Sequence, residues 1–318
     1  MGTFLSELGT KLGDRVLMAV TLPGLLWTAC LIAGRRLGWG QALAFGRLSG
    51  WIDRETATGQ PAGHTLSTIA IGVVGLLVVS SAAGLAAGGI GTSFEWFWSS
   101  RGTTPAARWL IRRRHRRWQL ASTRLREAVR EAMTAREQQT DPHYADSVVL
   151  ARRHSRLRVS VRRPERPTWI GDRFALAADR AREVNGIDDV DLVWPRLWPR
   201  LPDALRTDIT AARDAYSDAA RLCGWGLLYA VLAFLWWPAA LVAVVLLITG
   251  CVRGRSTASA FADLLEATLD LHLGDLAEQL GLAADVPADE RGAAITNHLR
   301  PKPPTALGTR PSAPPPVQ

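Results

Sequence analysis

The sequence predicts an all-α membrane protein: two transmembrane helices, a third apolar segment that is bent or a hairpin, and a helical arginine-rich module on the cytoplasmic side. Three observations carry this expectation. Uncharged runs at 16–34, 66–91 and 224–250 alternate with charged stretches. The charge of +9 is heaviest directly after the second run. Within the charged stretches, apolar residues recur at helical spacing.

The first run, Val16 to Gly34, approaches the roughly 20 residues that cross a hydrocarbon layer of about 30 Å. Lys11, Arg15, Arg35 and Arg36 bracket it, and Pro23 is tolerable inside a membrane helix. It lacks a small-x-small cleavage site with a polar start beyond, so it reads as a span rather than a signal peptide. Cys30 does not make a lipoprotein site, because Trp27 stands where a small aliphatic residue is wanted. Met1-Gly2 with Ser6 fits a myristoylation pattern, a eukaryotic modification that the composition argues against.

The second run, Leu66 to Gly91, is the clearest span. Ser80, Gly84 and Gly88 fall at i, i+4 and i+8, which lets another helix approach closely. Packing against the first span is favoured over a homo-oligomer contact. Phe94, Trp96, Phe97 and Trp98 follow as an interfacial belt.

The third run, Gly224 to Gly250, permits two readings. As one helix it would reach about 40 Å and place Trp236-Trp237-Pro238 near the bilayer centre, an awkward position for tryptophan. As a hairpin each arm would be only about 21 Å long. Arginines at both flanks (213, 221, 253, 255) favour the hairpin with both ends inside.

Positive charge sets orientation. Arg101, Arg108, Arg112, Arg113, Arg114, Arg116 and Arg117 follow the second span, so that end and the N-terminus are expected inside and 35–65 outside. The chain then divides into a membrane region (1–100), a basic helical module (101–221), the third apolar segment (222–252), an acidic amphipathic region (253–299) and a disordered proline-rich tail (300–318). Residues 104–136 form a basic helix with Trp118, Leu125, Val129 and Met133 as its apolar stripe, beside Ala121 and Ala132. Arg108, Arg112, Arg113, Arg114, Arg116 and Arg117 are the candidate contacts for anionic lipid headgroups. A protein partner is the second reading of that surface, and nucleic acid the weakest, with Trp109 or Trp118 as stacking residues.

Arg162 to Pro167 is too rich in proline for a helix. Phe174 to Val184 then forms one, ended by Asn185-Gly186. Trp-Pro-Arg-Leu occurs twice in tandem over 194–201, as a Trp-Pro corner bracing helices or as a partner surface. Trp169, Asp172, Arg173, Trp194, Arg196, Trp198 and Arg200 are the candidate partner-binding residues. A helix beginning at Pro202-Asp203 runs into the third apolar segment. Ser256 to Leu282 is a further helix, in a region where eight acids between 256 and 298 face Arg291 alone; its acids would complement the basic helix.

The Arg-Pro-Thr-Trp-Ile-Gly-Asp-Arg stretch at 166–173, the repeated Trp-Pro-Arg-Leu and Asp270 to Leu276 resemble a family of actinobacterial integral membrane proteins of unassigned function. Such proteins are sometimes labelled vegetative cell wall proteins. Lys11 and Lys302 are the only lysines among 38 basic residues, a bias expected of a GC-rich genome. The resemblance implies a membrane location and a cytoplasmic tryptophan-rich module, and no activity.

Nothing points to catalysis. Six histidines are scattered, and His272 beside Asp270 and Asp275 is the one arguable pair. No nucleophile-elbow, phosphate-loop or zinc-helix motif occurs, and Cys30, Cys223 and Cys251 have no metal-ligand spacing. No cofactor is expected. The spans carry no ionisable residue of the kind a transporter uses. The function expected is a membrane-anchored interaction or scaffold protein. The alternative is a small oligomeric channel or membrane-perturbing effector assembled through Gly84 and Gly88.

Overall fold

A computed structural model describes residues 22–40, 42, 46, 66–138, 142–282, 287 and 290–300. Most of the loop expected at 35–65, the start of the first apolar run and the proline-rich tail lie outside the described residues. Within them the chain is helical and contains no strand. Nine α-helices follow in order: α1 (Leu22–Leu37), α2 (Leu66–Ser99), α3 (Pro105–Glu137), α4 (Pro142–Val159), α5 (Trp169–Asn185), α6 (Val190–Leu197), α7 (Asp203–Leu232), α8 (Pro238–Gln279) and α9 (Arg291–Leu299). The described residues form two compact units, one within Met1–Phe174 and Ala211–Phe261, the other within Ala175–Thr210 and Ala262–Gln318.

The larger unit contains a four-helix bundle made by α1, α2, the end of α7 and the start of α8. The chain turns at Phe234 to Trp237, and Pro238 opens α8 as a first-turn proline can. Beyond the turn α8 runs back along α7. The backbone at Gly226 lies against Leu247, and Gly250 against Cys223 and Ala219. α7 is also antiparallel to α2: Gly224 meets Ala87, Gly91 meets Ala220 and Arg221, and Arg213 pairs with Glu95 at 3.1 Å. α1 runs beside α7, with Cys30 hydrogen-bonded to Tyr229 and Gly34 against Trp236. Both helices continue past the apolar run into charged sequence, so each is longer than its apolar arm of about 21 Å. α7 has 30 residues and α8 has 42. The Trp236-Trp237 pair sits at the turn instead of mid-helix, and indole N–H groups tie that turn down. Trp39 donates to the Phe234 carbonyl at 2.8 Å, and Trp236 donates to the Ala42 carbonyl at 3.0 Å.

The bundle differs from a water-soluble core chiefly in what it leaves outside. Its inside mixes small residues (Ser80, Ala83, Ala87, Ala219, Ala220, Ala239 and Ala243) with the buried Trp225, Tyr229 and Leu232. Aliphatic residues line the outside, with Ile71 and Leu85 exposed to 72% and 73% and Val74, Val78, Leu241, Val245, Ile248 and Val252 alongside. Small residues bring backbones close, which is how helices associate when the surrounding solvent is itself apolar. Ile71–Ser99 and Pro238–Gln279 are both long and apolar enough to cross a membrane.

α3 and α4 pair as an antiparallel hairpin. Arg136 meets Asp146 at 2.8 Å near its tip, the Arg156 guanidinium lies 5.8 Å from the centre of the Trp118 ring, and Arg163 bonds His115 at 3.3 Å toward its base. The inward line of α3 is Ala107, Ile111, Arg114, Trp118, Ala121, Leu125, Ala128 and Ala132, all buried or half-buried. Met133, expected in the stripe, is exposed because it lies one position off this line.

In the smaller unit, the second half of α5, α6, the start of α7, the end of α8 and α9 enclose Ile187, Val193, Leu197, Leu201, Leu269, Leu276 and Ile295. Two glycines with positive φ end helices here. Gly186 (φ 67°) lets Ile187 N–H reach back to the Ala181 carbonyl, and Gly281 (φ 72°) closes α8 with Leu282 N–H on Ala277. α9 crosses so tightly on the first of these turns that a side chain at Gly292 would collide with the Asn185 carbonyl.

Candidate functional site

The residues singled out in the sequence separate into three places. The first is a knot at the base of the α3–α4 hairpin. Asp172, in the first turn of α5, accepts the N–H groups of Glu165 and Arg166 at 3.0 and 2.8 Å and pairs with Arg114 at 2.8 Å. Arg114 also donates to the carbonyls of Val159 (2.9 Å), Thr168 (2.8 Å) and Arg166 (2.5 Å). A carboxylate at a helix N-terminus and a five-donor guanidinium meeting converging carbonyls satisfy one another. Thr168 caps α5 by accepting Gly171 N–H at 2.9 Å, and its hydroxyl donates to the Trp98 carbonyl at 2.5 Å. Gly171 is required there, since a Cβ would stand 2.7 Å from that same carbonyl. The helix therefore starts at Trp169, five residues before the expected Phe174. The Arg-Pro-Thr-Trp-Ile-Gly-Asp-Arg stretch thus fixes the end of α2, the base of α3 and the start of α5 as one piece.

This changes the standing of four predicted contacts. Asp172 and Trp169 are occupied within the chain, Trp169 beneath Arg255 at 4.7 Å. Arg173 is half-buried and engaged in the chain as well. Arg114, expected among the lipid contacts, turns inward, with its side chain 15% exposed.

The second place is the outer face of α3. Arg108, Arg112, Arg113, Arg116 and Arg117 are exposed, and Arg113 lies over the exposed Trp109 ring at 5.6 Å. Thr104 caps the helix and Pro105 starts it, so this face begins six residues beyond the end of α2. Of the expected aromatic belt, Trp96 and Phe97 face outward. Trp98 is buried against Gly254 and the Tyr216 ring.

The third place lies in the smaller unit. Trp194 and Trp198 meet with centroids 5.8 Å apart and their planes tilted by 42°, half-buried on α6 and the short turn after it, while Arg196 and Arg200 are exposed. Val193, Leu197 and Leu201 fill the inside, so the tandem repeat alternates core residues with an outward Trp–Arg surface. The acids of α8 were expected to complement α3. Glu266 and Asp270 meet Arg180 of α5 at 3.6 and 3.1 Å, and Asn185 also holds Asp270 at 3.0 Å.

Ser80, Gly84 and Gly88 divide similarly. Ser80 is buried, bonds Thr28 at 3.2 Å and receives the backbone of Gly24, so this part of the face packs on α1. Gly84 is buried, and Gly88 has no neighbour within 4 Å of where a Cβ would stand. His272 lies 3.2 Å from Asp275 on an exposed helix face. Among the described residues no group of three or more His, Cys, Asp or Glu could hold a metal ion. No family model, curated protein or solved structure matches this chain.

Proposed function

We propose that the chain is a membrane-anchored interaction protein with its four-helix bundle in the bilayer and the α3–α4 hairpin on the cytoplasmic surface. There the outer arginines of α3 hold anionic headgroups, and the Trp194–Arg200 surface is left for a protein partner. The observation that carries this is the apolar outside of the bundle, with valine, leucine and isoleucine exposed along α2 and α8. In water such an apolar face would be a large exposed patch, whereas against acyl chains it is the ordinary outside of a membrane protein. All four bundle helices then cross, with the 35–65 loop and the Trp236-Trp237 turn outside. The exposed arginines follow directly at the inner end of α2, where each basic residue near an anionic surface contributes about 1 kcal/mol. A pore assembled through the Ser80–Gly84–Gly88 face fits less well, because α1 occupies its first part.

Cysteine labelling tests the reading. In a chain whose three natural cysteines are replaced by alanine, Thr58→Cys should react with an impermeant maleimide in intact cells, and Ser256→Cys only after permeabilisation. Reaction of Ser256→Cys from outside would refute the hairpin and the cytoplasmic placement together.

A further inference from the structure

A cleft of about 380 Å³ opens in the larger unit between the end of α2, the start of α5 and the arms of α7 and α8. Its floor is aromatic. Tyr216 is buried at 2% exposure, and Phe174 meets both Tyr216 and Phe261 edge-on, with centroids 5.8 and 6.2 Å away. Its mouth carries Trp96 and an ion pair, Glu95 with Arg213, whose guanidinium also lies 5.8 Å from the Tyr216 ring centre. Glu95 is the only charged residue of the 34 in α2, and its side chain is 19% exposed against 54% for Arg213.

A carboxylate at the interfacial end of an otherwise uncharged apolar helix stands at headgroup level, where a charged ligand can meet it. Here it stands beside exposed rings and next to a solvated guanidinium. Anion and cation lie side by side, the cation over the Tyr216 ring, so the pair has no net charge and a strong local dipole. The ligand that complements this has both signs in the same order: an ammonium for Glu95 and the rings, and a phosphate for Arg213. Exposed Trp96 at the mouth puts the bilayer interface, not free water, next to that ligand.

We propose that this cleft binds the headgroup of a zwitterionic phospholipid bearing a primary ammonium. The ammonium bonds Glu95 over the aromatic floor, the phosphate bonds Arg213, and the acyl chains run down the outside of α2. This rests on the membrane reading, and it adds a selective lipid site to the generic attraction of the α3 arginines.

The full chain, purified in detergent and stripped of lipid, is titrated with phosphatidylethanolamine and phosphatidylglycerol and observed by native mass spectrometry. The wild type should bind one ethanolamine lipid about tenfold more tightly than the glycerol lipid, a ratio within reach of one charge-assisted, ring-stacked ammonium. Glu95→Gln should abolish the preference. Because that change also disturbs Arg213, Ser99→Phe is the second variant; it fills the cleft mouth and leaves both charges in place. Equal binding of the two lipids by the wild type would overturn the proposal, as would a preference surviving in Ser99→Phe with an unchanged melting temperature. Competition by soluble phosphoethanolamine at equal concentration would overturn the lipid assignment. Recovery of the untreated chain in the soluble fraction after carbonate extraction would sink the membrane reading itself, and is separable from all of these.

Discussion

Asp172 and Arg114 are 58 residues apart in sequence and 2.8 Å apart in the fold, each almost shut off from solvent. Between them they satisfy two backbone N–H groups and three carbonyls. Removing one partner leaves the other as a buried unpaired charge, which costs about 3–5 kcal/mol. Asp172→Asn and Arg114→Met should each lower stability by that order, measured by thermal unfolding in detergent. The double variant should lose clearly less than the sum, since its second change removes a charge the first has already stranded. Strict additivity would show that the pair is not coupled.

The position of Arg114 was readable from the sequence in one respect and hidden in another. Ala107, Ile111, Arg114, Trp118, Ala121, Leu125, Ala128 and Ala132 alternate at spacings of four and three, the seam of a helix packed on a single partner. A strict count of that spacing places Arg114 inside and its neighbours outside; a broad apolar stripe, which takes in Met133, does not. Its acceptor was not readable, because no local pattern links residue 114 to 172. α4 was hidden for a related reason. Its arginines give no apolar face of their own, and it is held by what α3 offers, a tryptophan ring and a carboxylate-seeking arginine. A helix break at Trp236-Trp237-Pro238 was legible, since proline and two indoles mark a turn better than a helix interior. The length of its arms was not, because helices continue into polar sequence without a compositional sign.

Cys223 and Cys251 hydrogen-bond to each other across the α7–α8 pair. Treatment with a copper–phenanthroline oxidant should join them within one chain, so that maleimide added after unfolding in sodium dodecyl sulfate labels Cys30 alone. Persistent labelling of Cys223 and Cys251 after oxidation would contradict the antiparallel register of the two helices.

Gly224 receives the Ala87 carbonyl so closely that a methyl group cannot fit, whereas Gly88, one residue beyond Ala87, faces open space. Gly224→Ala should destabilise the bundle by about 1–3 kcal/mol through overpacking. Gly88→Ala should be neutral or stabilising by up to about 1 kcal/mol from helix propensity. If Gly88→Ala instead lowered the mass of the detergent-solubilised particle, that position would be a contact between copies, and the oligomeric alternative would regain weight.

Asp270 gives the smaller unit a dependence on acid. The Asn185 amide holds its carboxyl below the ordinary carboxylate range, partial burial opposes this, and Arg180 adds to the lowering. Its folded value therefore lies beneath the unfolded one of about 3.9. The stabilisation is complete above that unfolded value and drains away as pH falls through the folded one. Asp270→Asn should flatten the stability profile below pH of about 4, and Asn185→Ala should move the loss to higher pH without removing it. Unfolding curves at closely spaced pH values decide the matter. An Asp270→Asn profile that still parallels the wild type in acid would assign that dependence to other carboxylates, and Asp270 would then be a spectator in its own hydrogen bonds.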